Sequence, residues 1–357
     1  MATCLRYPGK VVIVTGGTRG IGLAIMREFV RQGANVVFCS RACGAERGQA
    51  IQRELQDSGC PGEAFYQVCD VTNEADIQRL ILVTIERYGC LDCLVNNAAD
   101  VETGTIDDVT AEDFRNMMEV NVVSCLLTSK YSLPYLRETR GNIINIGSLR
   151  GVIGGKNLLS YNTSKGAVIA MTKALAIDES KYGVRVNSLS PGNIWTPMWE
   201  KYASQNMDPK ATIREAECHQ LLGRFGTPEE VALGVLYLAA DGTFCTGFNL
   251  VISGGAEVGF GTKDVVDPQP GKICQGANVV FCSRTCGAMG LAQCRSCGTD
   301  GHEDPAAAGQ PTGILTVTAA FANIPSAPPS TLASPPTPTA SSMFLGTAAS
   351  ERVMSQQ

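Results

Sequence analysis

The sequence predicts an α/β fold: a single domain built on a doubly wound parallel sheet, followed by an extension of different character. Three observations carry that prediction. Over the first 262 residues, short β-branched runs alternate with amphipathic stretches of helical period, the pattern of a parallel sheet covered by helices on both faces. The first run leads straight into a glycine-rich turn, Thr15-Gly-Gly-Thr-Arg-Gly-Ile-Gly22. Composition then shifts near Gly261: ten of the seventeen prolines fall in 263–357, and no charged residue occurs from Pro305 to Ser350.

The elements follow in order. Val11–Thr15 is a continuous apolar run, as a strand buried on both faces requires. A helical pattern then runs from Ile21 to Gln32 and stops at Gly33. Between them Gly16, Gly20 and Gly22 allow a tight turn and close approach of a pyrophosphate, and the helix N-terminus supplies positive potential. Strand, turn and helix together form the phosphate-binding start of a Rossmann-type sheet. Further strands are expected at Asn35–Cys39, Ala64–Cys69, Leu91–Val95, Asn142–Ile146 and Arg185–Leu189, each between helical stretches. Ligands of such sheets sit beyond the carboxyl ends of the strands.

Residues 263–357 read as a low-complexity extension, expected to be disordered. It contains a partial duplicate: Gln275–Ala288 repeats Gln32–Ala45 with only Thr285 in place of Ala42. Repeat architectures stack whole supersecondary units, whereas this copy is one strand with its turns, the mark of a gene fragment without independent function. Cys282, Cys286, Cys294 and Cys297 include one zinc-like C-x-x-C spacing. The first pair is copied from a strand and its exit turn, so no metal is expected.

Composition excludes several classes. The net charge of −5, without a basic block, argues against a nucleic-acid partner. No apolar run is long enough to span a membrane. Fifteen cysteines behind an N-terminus without a secretory signal read as reduced thiols of a cytoplasmic protein. Two histidines, His219 and His302, leave little material for histidine metal sites or a Ser-His-Asp triad. Acid–base chemistry has another source. Tyr161 and Lys165 stand four apart in a helical stretch and so share a face, and an ammonium beside a phenol favours the phenolate.

On Thr15–Gly22, Asp70-Val71-Thr72, Asn96-Asn97-Ala98-Ala99, Asn121, Ser148, Tyr161-x-x-x-Lys165 and Pro191-Gly192, residues 8–261 resemble the short-chain dehydrogenases/reductases. Ala99 departs from the family's commoner glycine. The resemblance implies an oxidoreductase that moves a hydride between a secondary alcohol, or a sugar hemiacetal, and the nicotinamide of NAD or NADP. It assigns catalysis to Asn121, Ser148, Tyr161 and Lys165, with Ser148 holding the substrate oxygen beside Tyr161. Asn121, inside a long helix, would bind a water linking Lys165 to solvent. It assigns cofactor binding to Gly16, Thr18, Arg19, Gly20, Ile21, Gly22, Ser40, Arg41, Asp70, Val71, Asn97, Tyr161, Lys165, Pro191, Gly192, Ile194 and Thr196, with Asp70 at the adenine.

Two specificities remain to be read. An acidic residue after the second strand selects NAD, but here Ser40-Arg41 stands there, and the nearest carboxylate is Glu46. A hydroxyl beside a guanidinium, with Arg19 nearby, suits a 2′-phosphate, so NADP is favoured over NAD. For substrate, Pro191-Gly-Asn-Ile-Trp-Thr-Pro197, Trp199-Glu200 and Asp208–Glu215 resemble family members that act on 17β-hydroxysteroids or on L-fucose. Trp195–Gly226 is long enough for a lid. Its Trp195, Met198, Trp199, Tyr202 and Met207 would wall a steroid, whereas Asp100, Arg150, Lys156 and Asn157 would meet sugar hydroxyls; Asp100, Trp195 and Trp199 are the leading pocket candidates. The resemblance also implies a homotetramer, with the helices around Asn121 and Tyr161 at one interface and Gly254–Gly261 at another. A catalytically silent scaffold acting through the extension is the alternative.

Overall fold

The structure, a computed structural model, describes residues 5–258. The proposed boundary at 262, the extension with its duplicate Gln275–Ala288, and its cysteines lie outside the described residues. Seven parallel strands form one sheet: β1 (Val11–Val14), β2 (Asn35–Ser40), β3 (Glu63–Val68), β4 (Cys93–Asn96), β5 (Asn142–Ile146), β6 (Arg185–Pro191) and β7 (Asn249–Ile252), in the order β3-β2-β1-β4-β5-β6-β7. The chain winds outward from β1 to β3, then crosses back to place β4 on the other side of β1. The ends of β1 and β4 therefore flank the crevice where ligands of such sheets bind.

The alternation of side chains along each strand divides the apolar residues between two layers. Val12, Val14, Val36 and Phe38 pack with α1 (Gly20–Arg31), α2 (Ala45–Asp57) and α9 (Pro228–Leu236). Val11, Ile13, Val37 and Cys39 pack with α3 (Glu74–Tyr88), α5 (Ser124–Thr139) and α6 (Leu159–Glu179) on the opposite face. This is why β1 reads as an unbroken apolar run. Along the way α4 (Ala111–Met118) leads through a π-helical turn at Glu119–Val123 into α5, while α7 (Pro197–Ser204) and α8 (Pro209–Cys218) occupy the expected lid.

The ends of β1, β2 and β3 shift by one residue from expectation, and three larger differences have identifiable reasons. β4 begins at Cys93 rather than Leu91, because the preceding Asp92 turns its carboxylate to the Val11 amide (2.9 Å) and Lys10 Nζ (2.8 Å). β6 runs two residues past Leu189 because β7 pairs with it from Ser188 to Pro191. The sequence reading had no β7, a four-residue, half-buried edge strand. The helix carrying Tyr161 is tied down by a two-pronged ion pair, Arg137 to Glu179 (2.7 and 2.8 Å), which joins α5 to α6.

The lid segment is closed at its far end by a capping box. Thr227 Oγ1 accepts the Glu230 amide (3.2 Å), Glu230 accepts the Thr227 amide (2.8 Å), and Arg224 grips the same carboxylate (2.7 Å). Arg224 and the Thr227 amide hold the Glu230 carboxyl down at about 2. A depressed carboxyl stabilises the fold fully above its unfolded value and loses that contribution as pH falls toward the folded one. Glu230→Gln keeps the capping bonds but loses the charge of the Arg224 pair, and is therefore expected to lower the urea midpoint at neutral pH by the equivalent of about 0.5–1 kcal/mol. The gap to the parent should shrink as pH drops from about 5 toward 3; a gap independent of pH would contradict this account.

Candidate active site

At the crevice lies an open cavity of about 290 Å³, lined from the glycine turn at one end to the start of α7 at the other. The turn forms because Gly16 and Gly20 adopt positive φ (67° and 53°). It cannot carry side chains where it is tightest: a Cβ on Gly22 would stand 2.2 Å from the Gly16 carbonyl oxygen. Asn97, just past β4, ties the turn to the sheet, its Nδ2 donating to the carbonyls of Thr15 (2.9 Å) and Gly16 (3.1 Å). Thr15 Oγ1 accepts the amides of Asn97 and Ala98, each at 3.0 Å. Behind them Asn96 bonds Asn145 (2.9 Å) and Thr128 (2.6 Å), fixing the β4–β5 spacing.

The α1 N-terminus opens onto this cavity with no side-chain cap from Arg19. Its first-turn amides are thus presented to the cavity, an arrangement that suits phosphate oxygens. Arg19 and Arg41 line the same end, and among the described residues neither is in an ion pair. Ser40 ends β2 rather than following it, and its Oγ lies 2.9 Å from the Tyr66 hydroxyl. Asp70 lines the wall beside Val71, its carboxylate held by the Thr72 amide (3.0 Å) and hydroxyl (2.8 Å). Pro191, Gly192, Ile194 and Thr196 line the opposite side. A Cβ on Gly192 would approach Ser253 Cα to 2.8 Å, and Thr196 caps α7 through the Trp199 amide.

Ser148, Tyr161 and Lys165 meet at the other end of the same lining. Lys165 is 3% exposed, and its Nζ donates to the Ile146 carbonyl (2.9 Å) while lying 5.8 Å from the Tyr161 ring centre. A buried ammonium needs such a partner. Ser148 caps the short turn Leu149–Gly151 by accepting the Arg150 amide (3.1 Å). That turn packs tightly on α6: a Cβ on Gly151 would come within 2.6 Å of the Lys165 carbonyl carbon. The Tyr161 hydroxyl, the Ser148 hydroxyl and a fixed cation can together hold an alcohol oxygen and exchange its proton.

Several expected members sit elsewhere. Asn121 is buried and does not line the cavity; it belongs to the π-helical turn, not to a regular helix. Its carboxamide brackets the Asp100 backbone, accepting the amide (2.8 Å) and donating to the carbonyl (3.0 Å), with a further bond to Ser164 Oγ (3.0 Å). The side-chain amide thus fastens the exit of β4 to α6. Asp100 and Trp199 line the cavity, as does Met198, but Trp195 does not; its ring packs edge-on against Phe225 (5.2 Å). Met207 is fully exposed on the lid, and Tyr202 turns to the edge of Trp199 (5.3 Å). Arg150, Lys156 and Asn157 are also absent from the lining; the Arg150 guanidinium bonds the Gly154 carbonyl instead (3.2 Å). The sequence reading passed over Cys39 and Cys69 in the cavity wall, and Tyr66 behind Ser40.

A family model described as enoyl-(acyl carrier protein) reductase, of the short-chain dehydrogenase/reductase group, matches residues 16–257. The chain belongs to the short-chain dehydrogenases/reductases. It is 52% identical to an L-fucose dehydrogenase of Bos taurus and 51% to one of Mus musculus, each over 264 residues. Those matches cover 74% of this chain and 95% and 94% of the relatives. A 2-(S)-hydroxypropyl-CoM dehydrogenase of Xanthobacter autotrophicus is 36% identical over 254 residues, 70% of this chain and 97% of the relative. As a member of this family the enzyme is an NAD(P)-dependent dehydrogenase acting on CH–OH donors. No helix among the described residues is long and apolar enough to cross a membrane.

Proposed function

We propose that the enzyme oxidises L-fucose at its hemiacetal carbon, with NADP preferred over NAD. The single observation that carries the reading is the shared lining of glycine turn, Ser148, Tyr161 and Lys165, in a chain about half identical to L-fucose dehydrogenases. A nicotinamide held along this lining would supply the hydride acceptor for the carbinol carbon. Tyr161 Oη accepts the hydroxyl proton, Ser148 Oγ orients the same oxygen, and the Lys165 ammonium favours the phenolate. Asn121 acts through the Asp100 backbone that it brackets, so its role is positioning. The Asp100 carboxylate supports a hydroxylated substrate, and Trp199 offers an apolar face to its carbon skeleton. The catalytic unit is the segment 1–262, working as a homotetramer in the cytoplasm.

The test is a turnover screen of the full chain with NAD and NADP against L-fucose, other aldoses and 17β-hydroxysteroids. L-fucose should give the highest kcat/KM; a steroid exceeding it overturns the substrate assignment. Ser40, Arg41 and Arg19 at the adenosine end support the cofactor preference. Arg41→Ala should raise KM for NADP about tenfold, about 1.4 kcal/mol, while KM for NAD stays nearly constant. Equal effects on both cofactors would reject a 2′-phosphate contact.

A further inference from the structure

The wall between Ser40 and Asp70 holds two thiols that the chemistry above does not use. Cys39 is paired in register with Gln67, and Cys69 lies two residues further on, so both face the same side of the sheet. They share one apolar layer with Val37, Val71 and Ile77, are at most 1% exposed, and both line the cleft. The two side chains are joined by a hydrogen bond, and the Gly16 amide is a second donor to Cys39. Those two donors hold Cys39 below the ordinary thiol range, while the hydrogen bond to Cys39, and then burial, hold Cys69 above it. A lone buried cysteine is a small apolar filler; a thiol pair that shares a hydrogen bond and borders a cavity has ligand chemistry.

Reach decides which chemistry. Strands about 4.8 Å apart with a rise of about 3.3 Å per residue place the two Cα atoms about 8 Å apart. A disulfide spans at most ~6.8 Å between Cα atoms, so direct oxidation requires the backbone to move. One soft atom with bonds of about 2.3 Å to each sulfur, the length of zinc–thiolate bonds, bridges the pair without that shift.

We infer that Cys39 and Cys69 form a two-thiol site for a single thiophilic centre, a trivalent arsenical, whose occupancy and that of the cofactor exclude each other. Two As–S bonds form, two S–H and two As–O bonds break, and the protons leave with the oxygens as water. Arsenic stays trivalent and no oxidant is needed. The exclusion rests on the cofactor reading given above; the two-thiol site itself does not.

The experiment treats the full chain with phenylarsine oxide and maps adducts by peptide mass spectrometry, while cofactor binding is titrated separately by tryptophan fluorescence. One adduct should bridge the Cys39 and Cys69 peptides, reverse with 2,3-dimercaptopropanol but not 2-mercaptoethanol, and form at least tenfold more slowly under saturating NADP or NAD. It should vanish in Cys39→Ser and in Cys69→Ser and persist in Cys43→Ser. Cys69→Ala, checked by circular dichroism, replaces Cys69→Ser if that variant fails to fold. No bridge at this pair, or a Cys39–Cys69 disulfide formed readily with peroxide alone, overturns the site. A bridge that forms equally fast with bound cofactor overturns the exclusion. A chain that forms the bridge and binds neither nucleotide overturns the cofactor reading and leaves the site standing.

Discussion

Tyr161→Phe is expected to lower kcat with L-fucose by about 10²–10⁴-fold, the usual worth of a positioned acid–base group. Cofactor affinity should stay nearly the same, because the substitution keeps the ring and removes only the hydroxyl. Lys165 keeps its bond to the Ile146 carbonyl in either case, so the loss isolates the proton step from the architecture around it. Stopped-flow or steady-state turnover beside a fluorescence titration of the nucleotide separates the two quantities. Retention of a tenth or more of the activity would remove Tyr161 from the proton transfer.

The second large effect belongs to Gly22→Ala. The added Cβ would sit 2.2 Å from the Gly16 carbonyl oxygen and 2.4 Å from Asn97 Nδ2. Neither neighbour can yield freely, since Asn97 Nδ2 is bonded to the carbonyls of both Thr15 and Gly16. Overpacking of this kind costs about 1–3 kcal/mol, and the displaced turn should also lose most of its nucleotide affinity. Urea unfolding and a cofactor titration measure the two effects. Gly154→Ala is the control: nothing stands within 4 Å of its Cβ and its φ is ordinary, so it should change neither quantity noticeably. Equal behaviour of the two variants would mean that the turn tolerates movement the packing denies.

The parts of the site that were legible in the sequence are the local ones. The glycine turn follows its strand without interruption, and Tyr161 and Lys165 need only a helical period to share a face. The two-layer core was legible in part for the same reason, because the continuous apolar run Val11–Val14 is β1, buried on both sides; β5 and β6 instead bury polar residues, Asn142, Asn145, Asn187, Ser188 and Ser190. What escaped is set by strand order and register. Tyr66 stands opposite Phe38 in the β2–β3 pairing, and only that pairing brings its hydroxyl to Ser40. Cys39 and Cys69 meet by the same register. The bond from Asn121 to Asp100 spans a sequence gap that no periodicity reports. Trp195 and Trp199 were indistinguishable as lid tryptophans; Phe225, folding back under them, draws Trp195 out of the lining. β7 escaped because no described helix follows Asn249–Ile252 to mark it as part of a β–α unit.

The π-helical turn at Glu119–Val123 has a bearing on how this enzyme tolerates change of length. Each helical residue advances the chain by about 100° around the axis, and a π-turn stores one residue more than the regular pitch. The stretch after it is thereby out of phase with the stretch before it. Asn121 reaches Asp100 and Thr128, seven residues on, reaches Asn96, so these two faces depend on the present spacing of about two turns. Deleting one residue here would let a regular helix form at little local cost. It would also turn one of those two faces away by about 100°, uncoupling the exit of β4 from either the sheet or the Tyr161 helix. The fold could absorb the missing residue where the reaction centre could not.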